Sequence, residues 1–171
     1  GVAEAGAITF QTIEAALGSR TLRLYVIGFE PGRPGGPQRI AEGRGFTNVD
    51  DEHNQLVCVI GADVSEKFFA KKNSPIDEFI KVDGRPLKVV GVAKAQGSVF
   101  GQSRDKFIMM PLSTFLTAYG ARRSLQLKIT SVNEAAYENA IDQAHAALRT
   151  RRKLDPSEAD NFGIITPGAI N

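Results

Sequence analysis

The chain predicts an α+β fold with a mixed sheet, because strand, helix and strand follow one another at least twice along it with hairpins interspersed. Two further features agree. No repeat of fixed period is present, and one long helix near the C-terminus carries a single apolar stripe suited to packing on a sheet. At 171 residues the chain can form one domain with a sizeable core, or two small lobes sharing an interface. Its 42% hydrophobic and 23% charged residues exclude wholesale disorder.

In chain order, residues 2–16 and 20–28 are β-leaning segments separated by Gly18-Ser19. Leu22, Leu24 and Val26 alternate with Arg23 and Tyr25, so the two segments are expected to pair. Residues 30–38 contain Pro31-Gly32-Arg33-Pro34-Gly35-Gly36-Pro37, which supports neither helix nor ladder and marks a lobe boundary. A short apolar strand over 55–60 leads through Gly61-Ala62-Asp63 into a helix over 64–72, with Asp63 or Ser65 as its cap. Phe79, Ile80 and Val82 precede Asp83-Gly84, and Leu87, Val89, Val90 and Val92 follow, which specifies a hairpin with a two-residue type I′ turn.

Residues 95–104 hold Gly97, Ser98, Gly101 and Ser103 around Phe100 and read as a mobile connecting loop presenting one aromatic. Residues 107–110 form a strand that Pro111 ends, while suiting the first turn of a helix over 113–119. Leu125, Leu127 and Ile129 alternate with Gln126, Lys128 and Thr130 as in a half-buried strand. The long helix then starts at a capping box of Ser131 and Glu134, or at Asn133 alone, and runs to about Arg152 along Ala136, Tyr137, Ala140, Ile141, Ala144 and Leu148. A last strand is expected over 162–166.

Charge and motifs exclude several functions. Lys+Arg 21 against Asp+Glu 19 leaves +2, too small an imbalance for a nucleic-acid footprint. Arg149, Arg151, Arg152 and Lys153 fall at a helix end, where cations offset the macrodipole. Cys58 stands alone in an apolar strand, so neither an intrachain disulfide nor a multi-cysteine metal site can form. No segment has the roughly 18 consecutive apolar residues that cross a bilayer, and residues 1–4 carry no signal-peptide pattern. If the parent protein sits in a membrane, this chain is expected to be a domain excised from it.

Reactive constellations are equally sparse. His53 lies in the polar run Asp50-Asp51-Glu52-His53-Asn54, which lacks the glycine and spacing of a calcium loop and reads as a solvated turn. His145 has no second histidine within a helical turn. The chain holds no nucleophile elbow and no Walker-type phosphate loop, and Gly43-Arg44-Gly45 is too short for a dinucleotide fingerprint. The expectation is therefore no catalytic, cofactor-binding or metal-binding residue. Ser98, Val99 and Phe100 are the candidate partner contact.

An ordered string of segments spans residues 1–166. It comprises Ala41-Glu42-Gly43-Arg44-Gly45-Phe46 with Asp50 or Asp51 soon after, then Val57-Cys58-Val59-Ile60-Gly61 leading to Phe68-Phe69, then Ser74-Pro75-Ile76. Ile80-Lys81-Val82-Asp83-Gly84-Arg85-Pro86-Leu87-Lys88-Val89-Val90-Gly91-Val92 continues it, followed by Phe107-Ile108-Met109-Met110-Pro111-Leu112-Ser113 and Asn161-Phe162-Gly163-Ile164-Ile165-Thr166. The string resembles the MacB-like periplasmic core domain of ABC transporter permeases of the MacB and FtsX kind, a domain inserted between the first two transmembrane helices. Two departures are visible. Asp77 stands where the family has a glycine after the Pro-Ile pair, and the chain opens without the helix that commonly precedes the first strand, as if it began inside the domain.

The resemblance implies a two-lobed domain, with a porter-like mixed α/β lobe from residues 1–38 and 105–171 and a smaller β-rich lobe inserted over 39–104. Both termini would point to the membrane, on the periplasmic or extracellular face, anchored by transmembrane helices outside this chain. It implies mechanotransmission for efflux or export: ATP hydrolysed by a separate cytoplasmic nucleotide-binding subunit or domain moves the external domain. The implied partners are a second permease copy, that ATPase acting through the membrane helices, and a periplasmic adaptor or substrate protein, with no nucleic acid. The hairpin at Asp83-Gly84 leaves no room for the enlarged hook of the lipoprotein-release branch. The alternatives are a periplasmic ligand-binding or scaffold protein, a lipoprotein-release permease domain, and a hydrolase using His53 with Asp50 or Asp51.

Overall fold

The computed structural model describes residues 2–33, 36, 39–120 and 125–164. Contacts divide the chain into two units, Gly6–Lys128 and Gly1–Ala5 with Ile129–Asn171. In the larger unit, β1 (Val2–Leu17, whose first residues belong to the smaller unit) pairs antiparallel with β2 (Arg20–Phe29) around the Gly18-Ser19 turn. The chain continues through β3 (Ile40–Gly43), α1 (Asn48–Glu52), β4 (Val57–Ile60) and α2 (Ala62–Phe69). It then forms β5 (Phe79–Val82), β6 (Arg85–Ala93), a small hairpin of β7 (Ser98–Val99) and β8 (Gln102–Ser103), β9 (Phe107–Pro111) and α3 (Leu112–Tyr119). The main strands lie in the order β1-β2-β9-β4-β6-β3, with β5 also on β6. The β2–β9 and β4–β6 pairs are parallel and the β1–β2, β4–β9 and β5–β6 pairs antiparallel, which makes the expected mixed sheet.

Strands β4 and β9 are apolar runs because both of their faces are covered. Cys58, Ile60, Ile108 and Met110 point to one face and pack with Val64, Phe68 and Phe69 of α2 and Phe115 of α3. Val57, Val59, Phe107 and Met109 point to the other, against Phe29 and Phe46, whose rings stand 5.2 Å apart. Burial pushes the Cys58 thiol pKa up, consistent with a filler and not a nucleophile. Strand β6 changes parity through a bulge: Cys58 faces Val89, Val59 faces Gly91, and Val90 is the extra residue. Leu87, Val89 and Val92 thereby share one face while Val90 and Ala93 join the other.

Two turns show why particular residues occupy them. Asp83 (φ 48) and Gly84 (φ 80) form the type I′ turn the Asp-Gly pair predicts, with Val82 facing Arg85. The Tyr119 hydroxyl donates to Asp83 Oδ2 at 2.6 Å and Arg85 donates to the Ala118 carbonyl at 3.2 Å, tying that turn to the end of α3. Asp77, where the resembled family has glycine, sits at φ 68 and so adopts the left-handed conformation glycine favours. Asp tolerates this region, and its carboxylate lies 3.3 Å from Lys88 Nζ.

Several local expectations are corrected. The N-cap of α2 is Gly61, with no side-chain cap, because Asp63 is engaged elsewhere. In the smaller unit, Asn133 alone caps, accepting from the Ala136 amide at 2.9 Å; a 3-10 turn over Glu134–Ala136 precedes α4 (Tyr137–Arg151). Ser131 instead ends the strand β10 (Gln126–Ser131), which follows the expected alternation only weakly, since Leu125 and Leu127 remain 43% and 47% exposed. Residues 162–164 form no strand: the tail is held by Asp160, which meets His145 at 2.7 Å and Arg149 at 2.5 Å, and the His145 ring lies edge-on to Phe162. The remainder of that expected strand, and Pro34, Gly35, Pro37 and Gln38 of the expected lobe boundary, lie outside the described residues.

Gly28 marks where α3 seats on the sheet, since a Cβ there would lie 2.6 Å from Phe115 Cβ. Gly28→Ala is expected to destabilise the protein by about 1–3 kcal/mol through overpacking. Urea unfolding checks this, and an unchanged midpoint would contradict it.

Candidate functional site

Strands β7 and β8 pair antiparallel with Ser98 facing Ser103 and Val99 facing Gln102, leaving Phe100 and Gly101 as the two turn residues. Both have positive φ, 50 and 76, as a type I′ turn requires. Gly101 meets that requirement freely; Phe100 does not, because its Cβ crowds the following carbonyl in the left-handed region. Phe100 is also 99% exposed, so its ring gains nothing from burial. A strained aromatic with no intramolecular packing belongs to the class of features that cluster at functional positions. Ser98 and Val99 form the rising arm beneath it, with Val99 45% exposed. The structure thus places the three predicted residues consecutively on an ordered hairpin, where a loop without regular structure was expected.

The foot of that hairpin is polar and buried. Asp105, only 3% exposed, accepts from the Gln96 amide at 2.8 Å and the Gly97 amide at 3.0 Å. The Arg104 amide donates to the Gly97 carbonyl at 2.9 Å, closing the base. The Ser103 hydroxyl donates to Asp63 Oδ2 at 2.6 Å and accepts from the Asp105 amide at 3.1 Å, which joins the hairpin to the first turn of α2. Gly61 permits this approach, because a Cβ there would lie 2.2 Å from the Asp105 carbonyl oxygen. Sequence reasoning did not single out Asp105. The available signal was a carboxylate between a glycine-rich segment and an apolar strand, where turn amides need an acceptor.

Asp50, Asp51 and His53 of the acidic run are each engaged in structural contacts. Asp50 forms a capping box with Thr47, receiving the Thr47 amide at 2.9 Å, and also accepts from Arg44 at 2.8 Å. Asp51 accepts from the Ser113 amide at 3.0 Å, capping α3 from outside, while its own carbonyl takes the Ser113 hydroxyl. The His53 ring nitrogen meets the Val49 carbonyl at 3.0 Å within its own helix turn. No group of three or more His, Cys, Asp or Glu that could hold a metal occurs among the described residues.

Burial acts to raise the Asp50 pKa, and is outweighed by the Arg44 hydrogen bond, the Thr47 amide and the Arg44 charge, which together hold the carboxyl below its usual range. A depressed folded pKa contributes stability above the unfolded value of about 4, lost as pH falls through the folded pKa. Asp50→Asn is therefore expected to flatten the acid limb of a stability-versus-pH curve while lowering stability at neutral pH; an unchanged acid limb would contradict this. Asp105→Ala leaves the Gln96 and Gly97 amides without their acceptor. Hydrogen exchange at those amides and at Arg104 is expected to accelerate at least about tenfold, for a loss of about 1.4 kcal/mol in local closure, with core amides little changed.

Comparison with known proteins places the chain in a family. The model of the MacB-like periplasmic core domain matches residues 2–150. A macrolide export ATP-binding/permease protein MacB from Bdellovibrio bacteriovorus is 29% identical over 130 residues, 75% of this chain and 20% of its own length. A pyoverdine export ATP-binding/permease protein PvdT from Pseudomonas syringae pv. tomato is 31% identical over 113 residues, 65% of this chain and 17% of its own. The chain thus spans about a fifth of the length of such relatives. Among solved structures, the extracellular domain of the ABC-type transporter YknZ from Gram-positive bacteria superposes with TM-score 0.76 at 20% identity, covering 91% of this chain and 79% of that one. The periplasmic region of MacB from Actinobacillus actinomycetemcomitans superposes with TM-score 0.65 at 15% identity, covering 92% and 78%. The match covers most of the chain, and the chain belongs to the family of MacB-like periplasmic core domains of ABC transporter permeases.

Proposed function

We propose that this domain is a mechanical coupling body of an export permease, moved by ATP hydrolysis elsewhere and making contact through Ser98, Val99 and Phe100. The observation that carries the reading is the contrast at the hairpin. A wholly exposed, conformationally costly Phe100 stands on a foot that Asp105 and Ser103 lock to α2, and through α2 to a sheet covered on both faces. A body that relays displacement has to be stiff from base to tip, and a tip that engages a partner must present apolar area without collapsing onto itself. The export permeases among its relatives favour efflux over lipoprotein release, as does the two-residue closure of the β5–β6 hairpin.

In this reading residues 1–38 and 105–171 form the porter-like part and 39–104 the inserted part. The domain stands outside the cytoplasmic membrane, is held there by transmembrane helices beyond this chain, and faces a second permease copy. No bond is made or broken on it, and the nucleotide-binding partner supplies the energy. No helix among the described residues is long and apolar enough to cross a membrane.

Burying one phenylalanine is worth about 1.5–3 kcal/mol, so Phe100→Ser in the full permease is expected to weaken the partner contact about ten- to a hundredfold. Export should fall accordingly, while the unfolding midpoint of the domain stays the same or rises slightly as the strained aromatic is removed. Transport assays paired with thermal unfolding check this. Full export by a stably expressed Phe100→Ser permease would reject the contact, and an unchanged label distance at Gln102→Cys between nucleotide-free and ATP-bound transporter would reject the coupling.

A further inference from the structure

Beside the hairpin foot, an open cleft of about 520 Å³ lies between α2, the start of β2 and the residue preceding β9. Four of its lining side chains are cations from three separate stretches of chain: Arg20, Lys67 and Lys71, and Lys106. Among the described residues none of the four takes part in an ion pair. Lys67 and Lys71 sit at the end of α2, where cations offset the macrodipole. Arg20, at the start of β2, and Lys106, just before β9, have no such duty, yet converge on the same concavity. Arg20 is held there by donating to the Lys67 carbonyl at 3.2 Å. Two carboxylates share the lining, Asp63, which accepts the Ser103 hydroxyl and is thereby turned toward the hairpin foot, and Glu66, so four cations face two acids and the cleft carries a net positive charge.

We propose that this cleft is a docking site for an acidic segment of a partner protein, whose Asp or Glu side chains reach Arg20, Lys67, Lys71 and Lys106. Charge complementarity sets the class of occupant. Small-molecule sites enclose their ligand, whereas this cleft opens to solvent and six of the eight residues lining it carry charged heads. A lipid headgroup plane is flat and meets cations on convex ground, while Arg20 lies half-buried within the concavity. A compact polyphosphate would bring its charge against Glu66. Carboxylates spaced along a peptide can reach the cations and leave Glu66 to solvent. The inference rests on these charges and not on Phe100, so it stands or falls separately from the contact assigned to the hairpin.

The probe is a fluorescein-labelled peptide of alternating glutamate and glycine, titrated into the chain and followed by fluorescence anisotropy at low and physiological salt. Saturable binding that weakens with salt is expected, and the Lys67→Glu/Lys106→Glu variant should lose at least about tenfold in affinity. The control is Lys81→Glu combined with Lys128→Glu, which changes net charge equally at residues that do not line the cleft and should alter affinity by less than about twofold. Lys81 alternates with Ile80 and Val82, which bury on the α2 side, and so lies on the other face of the sheet. Equal losses in the two variants would overturn the proposal, as would no binding by the parent chain. Inorganic phosphate displacing the peptide at equimolar concentration would overturn it in favour of a phosphate site. Preferential binding to vesicles containing anionic lipid would overturn it in favour of a membrane contact. Circular dichroism of both variants guards against misfolding, and the single variant Lys106→Gln, in a position outside any element, supplies the same readout if the double variant fails to fold.

Discussion

Burial of the central strands on both faces is the constraint from which the rest of the larger unit follows. With Cys58 and Ile60 on one side and Val57 and Val59 on the other, β4 has no face left for water, and β9 is in the same position. Two covering layers are then required. Helices α2 and α3 supply one, and the stretch that includes Ile40 and Phe46 supplies the other. The close approaches at glycines are the geometric consequence: Gly28 lets Phe115 down onto β2, and Gly91 lies where a Cβ would be 2.1 Å from the Arg44 carbonyl oxygen. Replacing either by a residue with a side chain would lift a layer off the sheet.

Carboxylates do the joining where layers and turns meet. Asp50 closes its own short helix, Asp51 serves the first turn of α3, which Pro111 cannot cap, and Asp105 gathers the amides at the hairpin foot. Each satisfies donors that would otherwise be stranded near the core, where an unmade hydrogen bond costs more than a made one gains. This accounts for an acidic run that looks from composition as though it might bind a cation. Asp50 and Asp51 are instead engaged by backbone amides and Arg44. The same economy stiffens the hairpin, so a tip that is chemically exposed is mechanically continuous with α2.

What was legible in the chain was local. The Asp83-Gly84 turn, the pairing of β1 with β2, the strand ending at Pro111 and the apolar character of β4 all come from preferences acting over a few residues. Asp63 and Ser65 both have side-chain oxygens suited to capping α2, yet the N-cap is Gly61 and the Asp63 carboxylate is claimed by a hydroxyl forty residues later. The final strand was read from Phe162 and its neighbours, whereas Asp160 with His145 and Arg149 holds that tail to α4. Asp77 shows the middle ground: its departure from a glycine pattern is visible in the chain, and that it adopts the same left-handed backbone is visible only in the fold.

By itself, then, the order of residues determined the alternation of strands and helices, the turn chemistry, the family string and the scarcity of reactive groups, because these depend on side-chain type and short spacing. Only the tertiary structure decided which faces of the sheet are covered, that residues 98–103 form a hairpin, that Asp105 is its anchor, and that Arg20 and Lys106 meet Lys67 and Lys71 across one cleft. The covered faces and the cleft depend on contacts between residues far apart in the chain, and no window short enough to carry a propensity contains both partners, whereas the hairpin is local but needs Phe100 in a left-handed turn position that its side chain disfavours.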